Sequence, residues 1–129
     1  MKLHDLFESS QEIFNVNSTG HRIHDGIISK PEEFPHIKSG IKYMSPAAAM
    51  KAMAKGQNKS LKQIIDRRMS KGGEEIIKKI ASDLKSGIKY DVPVMDYAVG
   101  GFRQDGYHRL LAAQALNIKS VPIFIIHRS

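Results

Sequence analysis

Six consecutive apolar residues, Val121-Pro122-Ile123-Phe124-Ile125-Ile126, follow closely on a helical stretch, Tyr107 to Leu116, with Asn117 between them as a left-handed cap. An unbroken apolar run of this length, bounded by turn signals, reads as a strand buried on both faces. Such a strand belongs to a sheet covered by other elements. The expected class is therefore α/β (α+β): a compact domain with a small mixed sheet flanked by helices. At 129 residues and 41% hydrophobic content, the chain has the size and the apolar material for one ordinary domain.

The rest of the chain is read from the same kind of signal. Ser45-Pro46 suits a helix start, because a serine hydroxyl caps free N–H groups and proline fits the first helical position; the helix continues over Ala47 to Lys55, with Gly56 as its stop. A second helix begins near Ser60 and turns Leu61, Ile64, Ile65 and Met69 inward. Lys71-Gly72-Gly73 breaks that pattern. Glu74 to Lys85 is a third helix with Ile76, Ile77, Ile80 and Leu84 as its buried stripe, acids at its start and Lys85 at its end, and Ser86-Gly87 closes it. Met44, Met50, Met53 and Met69 are core filling. Strands are expected at Ile41–Met44, at Tyr90–Tyr97, and at Phe102–Arg103 after a Gly100-Gly101 turn. The domain is placed at residues 41–129, and residues 1–40 are read as an N-terminal arm or variable segment. Within that arm, Leu3, Leu6 and Phe7 share a helical face, Asn15 to Gly20 form a turn, and Pro31 and Pro35 break regular structure.

Composition narrows the chemistry. The chain has no cysteine, which removes disulfides, thiolate metal sites and cysteine nucleophiles. No apolar run approaches the ~18 residues of a membrane span, and the first residues lack a signal-peptide core, so the expected location is cytoplasmic. The formal net charge is +7, with nine Lys/Arg against four Asp/Glu between Gln57 and Lys89. Such a balance either suits a polyanionic partner, namely a nucleotide, DNA or an acidic protein surface, or is a solvated lysine-rich helical face. His21, His24 and Asp25 lie close together, but two histidines do not make a metal site, and none is assigned.

The stretch that carries chemistry is Arg103-Gln104-Asp105-Gly106-Tyr107-His108-Arg109, where a loop enters a helix. Free backbone N–H groups at such a junction bind anions, and the helix dipole adds to this. Gly106 allows a phosphate to approach. His108 and Arg109 add donors in the first turn, and Arg109 either binds phosphate in bidentate fashion or ties a buried carboxylate in the fold. Arg103 faces the same pocket if Phe102 faces the core. Asp105 either caps the helix, holds a metal or orients a hydroxyl, and His108 either binds phosphate, acts as an acid or base, or packs beside the sheet. Tyr107 is a packing or stacking residue.

The run Asp105-Gly106-Tyr107-His108-Arg109-Leu110-Leu111-Ala112-Ala113, followed by Leu116-Asn117-Ile118-Lys119-Ser120-Val121-Pro122-Ile123, resembles the signature of the ParB N-terminal domain/sulfiredoxin superfamily. The resemblance covers roughly the last 40 residues. It implies a nucleotide bound at the glycine–helix junction, with Gly106, His108 and Arg109 on the phosphates. Sulfiredoxins carry cysteine where this chain has Tyr107, which sets aside sulfinic-acid reduction. Partition proteins of the family usually carry glutamate there and a downstream helix-turn-helix, for which the sequence to Ser129 leaves no room. The expected function is a nucleotide-phosphate-binding protein, as an NTP hydrolase or phosphotransferase, in which a nucleoside triphosphate is held with Mg²⁺ and Asp105 and His108 carry the chemistry. The alternative is a non-enzymatic module of a phage or mobile element that engages DNA or an acidic protein through its basic surface. A DNA nuclease comes third, since no cluster of carboxylates for two metals is visible.

Overall fold

The computed structural model describes residues 13–16, 37–96 and 103–128. Among these residues a mixed four-stranded sheet packs with four helices, in the α+β arrangement expected. The strands are β1 (Phe14–Asn15), β2 (Ile37–Met44), β3 (Tyr90–Asp91), β4 (Val94–Asp96), β5 (Arg103–Asp105) and β6 (Val121–Arg128). The helices are α1 (Pro46–Gly56), α2 (Leu61–Met69), α3 (Gly73–Lys85) and α4 (Tyr107–Ala115). The main sheet has the order β2-β6-β4-β5, with β6 antiparallel to β2 and parallel to β4, and β5 antiparallel to β4. A separate small ladder pairs β1 with β3 in parallel, Phe14 opposite Tyr90.

Each helix start has a visible cause. The Ser45 hydroxyl accepts from the Ala48 N–H at 3.1 Å, with Pro46 just inside the helix. At α2 a reciprocal pair forms: Ser60 Oγ accepts from the Gln63 N–H, and Gln63 Oε1 accepts from the Ser60 N–H. Helix α3 starts from Gly72 in the left-handed region, φ 84°, with Glu74 and Glu75 in its first turn. Asn117 adopts φ 60° after α4, as expected of a left-handed cap.

The core joins Met50 and Met53 of α1, Ile64 of α2, Ile77, Ile80 and Leu84 of α3, Leu110, Ala112 and Ala113 of α4, and Met95, Val121 and Ile123 of the sheet. Helix α4 packs on all three other helices, and the small side chains of Ala112 and Ala113, both fully buried, allow that approach. Val94 and Ile126 are buried apart from this cluster, so the β4–β6 pair is covered on both faces. A Lys79–Asp83–Tyr90 chain ties α3 to β3: Tyr90 Oη donates to Asp83 Oδ2 at 2.5 Å and Lys79 Nζ reaches the same oxygen at 3.0 Å. These two donors hold the Asp83 carboxyl below its ordinary range, the tyrosine contributing most.

Several expectations need correction. The boundary at residue 41 falls inside β2, which begins at Ile37, and Phe14 is part of the core; residues 13–16 and 37–40 thus belong with the domain. Asn15 is strand rather than turn. Gly56 is the last helical residue of α1, and the left-handed backbone comes at Asn58, φ 56°. Tyr90–Tyr97 is not one strand. Pro93 has no N–H to give a ladder, so β3 and β4 are separate, and the Pro93 carbonyl accepts from Phe124 N–H at 2.9 Å. Ile76 and Met69 are 49% and 42% exposed, at the edges of the stripes assigned to them. The readings at Leu3 to Phe7, His21 to Asp25, Pro31 and Pro35, and Gly100-Gly101 lie outside the described residues. No described helix is long and apolar enough to cross a membrane.

Candidate functional site

Three of the elements above converge on the start of α4. Gly106 occupies the N-cap position with φ 125°, a backbone conformation that side chains rarely adopt. A Cβ on it would lie 2.6 Å from Pro93 Cβ. The glycine is therefore required by the close passage of the β3–β4 link, whatever a ligand does. Asp105 ends β5 and Arg103 begins it; their side chains lie outside the described residues.

Arg109 is 7% exposed. Its Nη1 donates to the carbonyls of Asp91 and Val92, the latter at 3.3 Å. These carbonyls flank the break that Pro93 puts between β3 and β4, where buried acceptors need partners from outside the ladder. Arg109 thus serves the fold as a main-chain anchor. Its role was expected to be phosphate binding, with a buried carboxylate as the other option; the partners shown are backbone carbonyls.

Tyr107 and His108 turn the other way, toward α1 and α2. Tyr107 is buried, and its hydroxyl donates to Gln57 Oε1 at 2.7 Å. The Arg68 guanidinium lies over the Tyr107 ring, 5.4 Å from its centre. His108 lies beside Arg68, whose charge and backbone both act on its ring. Beside these contacts is a cleft of about 380 Å³ lined by Gln57, Lys59, Gln63, Ile64, Arg67 and Arg68. That size falls at the lower end of small-molecule sites, roughly 300–1,000 Å³. Three of its six lining residues are cations and none is a carboxylate.

No family model, curated protein or solved structure matches the chain. The site is therefore read from its own residues. Burial pushes the His108 pKa below its ordinary 6.5, and the positive charges of Arg68 and Arg109 push the same way against the raising effect of the Arg68 backbone bond. A depressed histidine pKa means that the unfolded chain takes up a proton first. Stability is then fully present above about pH 6.5 and declines as pH falls from there toward the folded-state pKa. The thermal midpoint is expected to drop between about pH 7.5 and about pH 5.5, and to drop less in His108→Gln. Equal drops in the two proteins would assign the acid sensitivity to other groups. Asp83 also loses stability on acidification, but only in the carboxylate range, below the histidine window.

The cleft cations were missed when read as part of a solvated helical face. One signal was available. Lys62, Lys78 and Lys79 each have a carboxylate four residues away and meet it at 3.1, 3.6 and 3.0 Å. Lys59, Arg67 and Arg68 have no acidic residue three or four positions away in either direction.

Proposed function

We propose that the chain binds a phosphate-bearing ligand, a nucleoside triphosphate foremost, in the cleft beside the start of α4. The observation that carries this reading is the cluster of Lys59, Arg67 and Arg68 around one cleft without a lining carboxylate, next to His108. Cations gathered in a concave site attract an anion far more than the same cations spread over a surface. Arg68 is held in place by its stack on Tyr107, and a guanidinium already oriented loses less freedom on binding phosphate. The resemblance to ParB/sulfiredoxin-like proteins supports the same class of ligand and the same helix start. It differs in detail: Arg109, which the resemblance would put on the phosphates, is engaged with main-chain carbonyls, so the charge is supplied by α2. In a hydrolase or phosphotransferase reading, His108 is the group beside the cleft suited to proton transfer, since its lowered pKa keeps it neutral near pH 7.

The Mg²⁺ expected with the nucleotide does not fit the described residues. No group of three His, Asp or Glu among them could hold a metal ion, and the cleft lining offers no carboxylate oxygen.

Thermal unfolding with ATP, CTP, GTP and UTP tests this reading. A nucleotide present at about 100 times its Kd is expected to stabilise by about 2.7 kcal/mol. Arg67→Ala should remove most of that shift while leaving the unliganded midpoint within about 2 °C of wild type, because Arg67 is exposed. No shift with any of the four would refute the reading. Binding to duplex DNA that weakens steeply with salt would favour the polyanion-surface alternative instead.

A further inference from the structure

Resting on the phosphate reading above, the geometry points to a more specific ligand form: the cleft takes its phosphates as the metal-free oxyanion. Every polar group on the lining presents donors. Lys59, Arg67 and Arg68 have no acceptor at all. The two amides are oriented by the protein itself. Gln57 Oε1 accepts from the Tyr107 hydroxyl, and Gln63 Oε1 accepts from the Ser60 N–H at 3.3 Å. Each amide oxygen thus already has a donor from the protein, which leaves the –NH₂ end as the freer group of each glutamine. Ile64 supplies the apolar floor and is buried.

Two consequences follow from a lining of three cations and two amide donors. A phosphate oxygen has only lone pairs to offer and is matched at every position. A Mg²⁺ ion riding on the phosphates is not, because it seeks oxygen ligands, roughly six of them at ~2.0–2.1 Å, and it brings two more positive charges next to three. The nearest acid in sequence, Asp66, is turned to Lys62 at 3.1 Å and is not part of the lining.

The test is calorimetric titration of the whole chain with inorganic tripolyphosphate and with the four nucleoside triphosphates, each in EDTA and again in excess Mg²⁺. Tripolyphosphate and the nucleotides are expected to bind in EDTA, and excess Mg²⁺ to weaken all of them by about tenfold or more. Lys59→Ala and Arg67→Ala should each weaken tripolyphosphate by about tenfold, the loss of one charge-assisted contact. Nucleotide binding that requires Mg²⁺ would overturn this inference and leave the nucleotide reading standing. Tripolyphosphate binding unchanged in both variants would also overturn it, since the ligand would then sit elsewhere. Absence of binding by every compound in both conditions would overturn the inference and the nucleotide reading together.

Discussion

Arg109→Ala is expected to destabilise the free protein by about 3 kcal/mol or more, with no ligand present, lowering the thermal midpoint by about 10 °C. The reason is local. Pro93 interrupts the strand, and the Asp91 and Val92 carbonyls on its N-terminal side receive hydrogen bonds from Arg109 Nη1. Truncation removes two charge-assisted bonds and leaves the carbonyls they satisfied without that donor, at a side chain only 7% exposed. Arg109→Lys should recover little, because an ammonium on a flexible stem does not reproduce the planar guanidinium. The check is chemical denaturation of the three proteins in phosphate-free buffer. An Arg109→Ala protein as stable as wild type would return Arg109 to the surface chemistry suggested by the family resemblance.

Gly73→Ala is expected to cost about 3 kcal/mol, and more than Gly72→Ala, at about 1 kcal/mol. Backbone conformation alone predicts the reverse order, since Gly72 has φ 84° and Gly73 begins a helix. Space decides it. A Cβ on Gly72 meets nothing within 4 Å, whereas a Cβ on Gly73 would sit 1.4 Å from the Arg68 carbonyl oxygen. The start of α3 is pressed against the end of α2, and an added methyl must drive the two apart. Because Arg68 also acts on the His108 ring, the same substitution should alter the acid sensitivity assigned to His108. Denaturation of both alanine variants at about pH 7.5 and about pH 5.5 reads the two effects together. Equal costs at the two glycines would contradict the close packing of α2 on α3.

How much of this was legible in the sequence depends on the range of the signal. Helices α2, α3 and α4 announce themselves through apolar spacing and through Ser60, Gly72 and Asn117, whose effects act within a turn. Ile76 misled because it continues the apolar stripe of α3 by spacing while lying at its edge, where nothing covers it among the described residues. The arginine at the start of α4 was expected on a phosphate because its motif is local, whereas its partners lie 17 and 18 residues upstream. Pro93 within an otherwise continuous strand was the hint, since it leaves carbonyls that something must satisfy. Gly106 was read as a place for a phosphate to approach; the group that the fold brings close to it is Pro93. The cleft is the reverse case. Its residues come from the turn after α1 and from α2, and only the fold shows that they share one concavity beside Tyr107 and His108.

The central claim is that phosphate meets Lys59, Arg67 and Arg68 while Arg109 stays with the fold. A ¹⁵N-edited spectrum recorded during titration with tripolyphosphate tests it most directly, because main-chain and arginine side-chain signals are read at once. The account predicts shifts concentrated at Gln57, Lys59, Gln63, Arg67 and Arg68 and at the neighbouring Tyr107 and His108, with the Arg67 and Arg68 side-chain signals moving and that of Arg109 still. Movement of the Arg109 side chain with a silent cleft, or shifts confined to the lysines of α3, would contradict it.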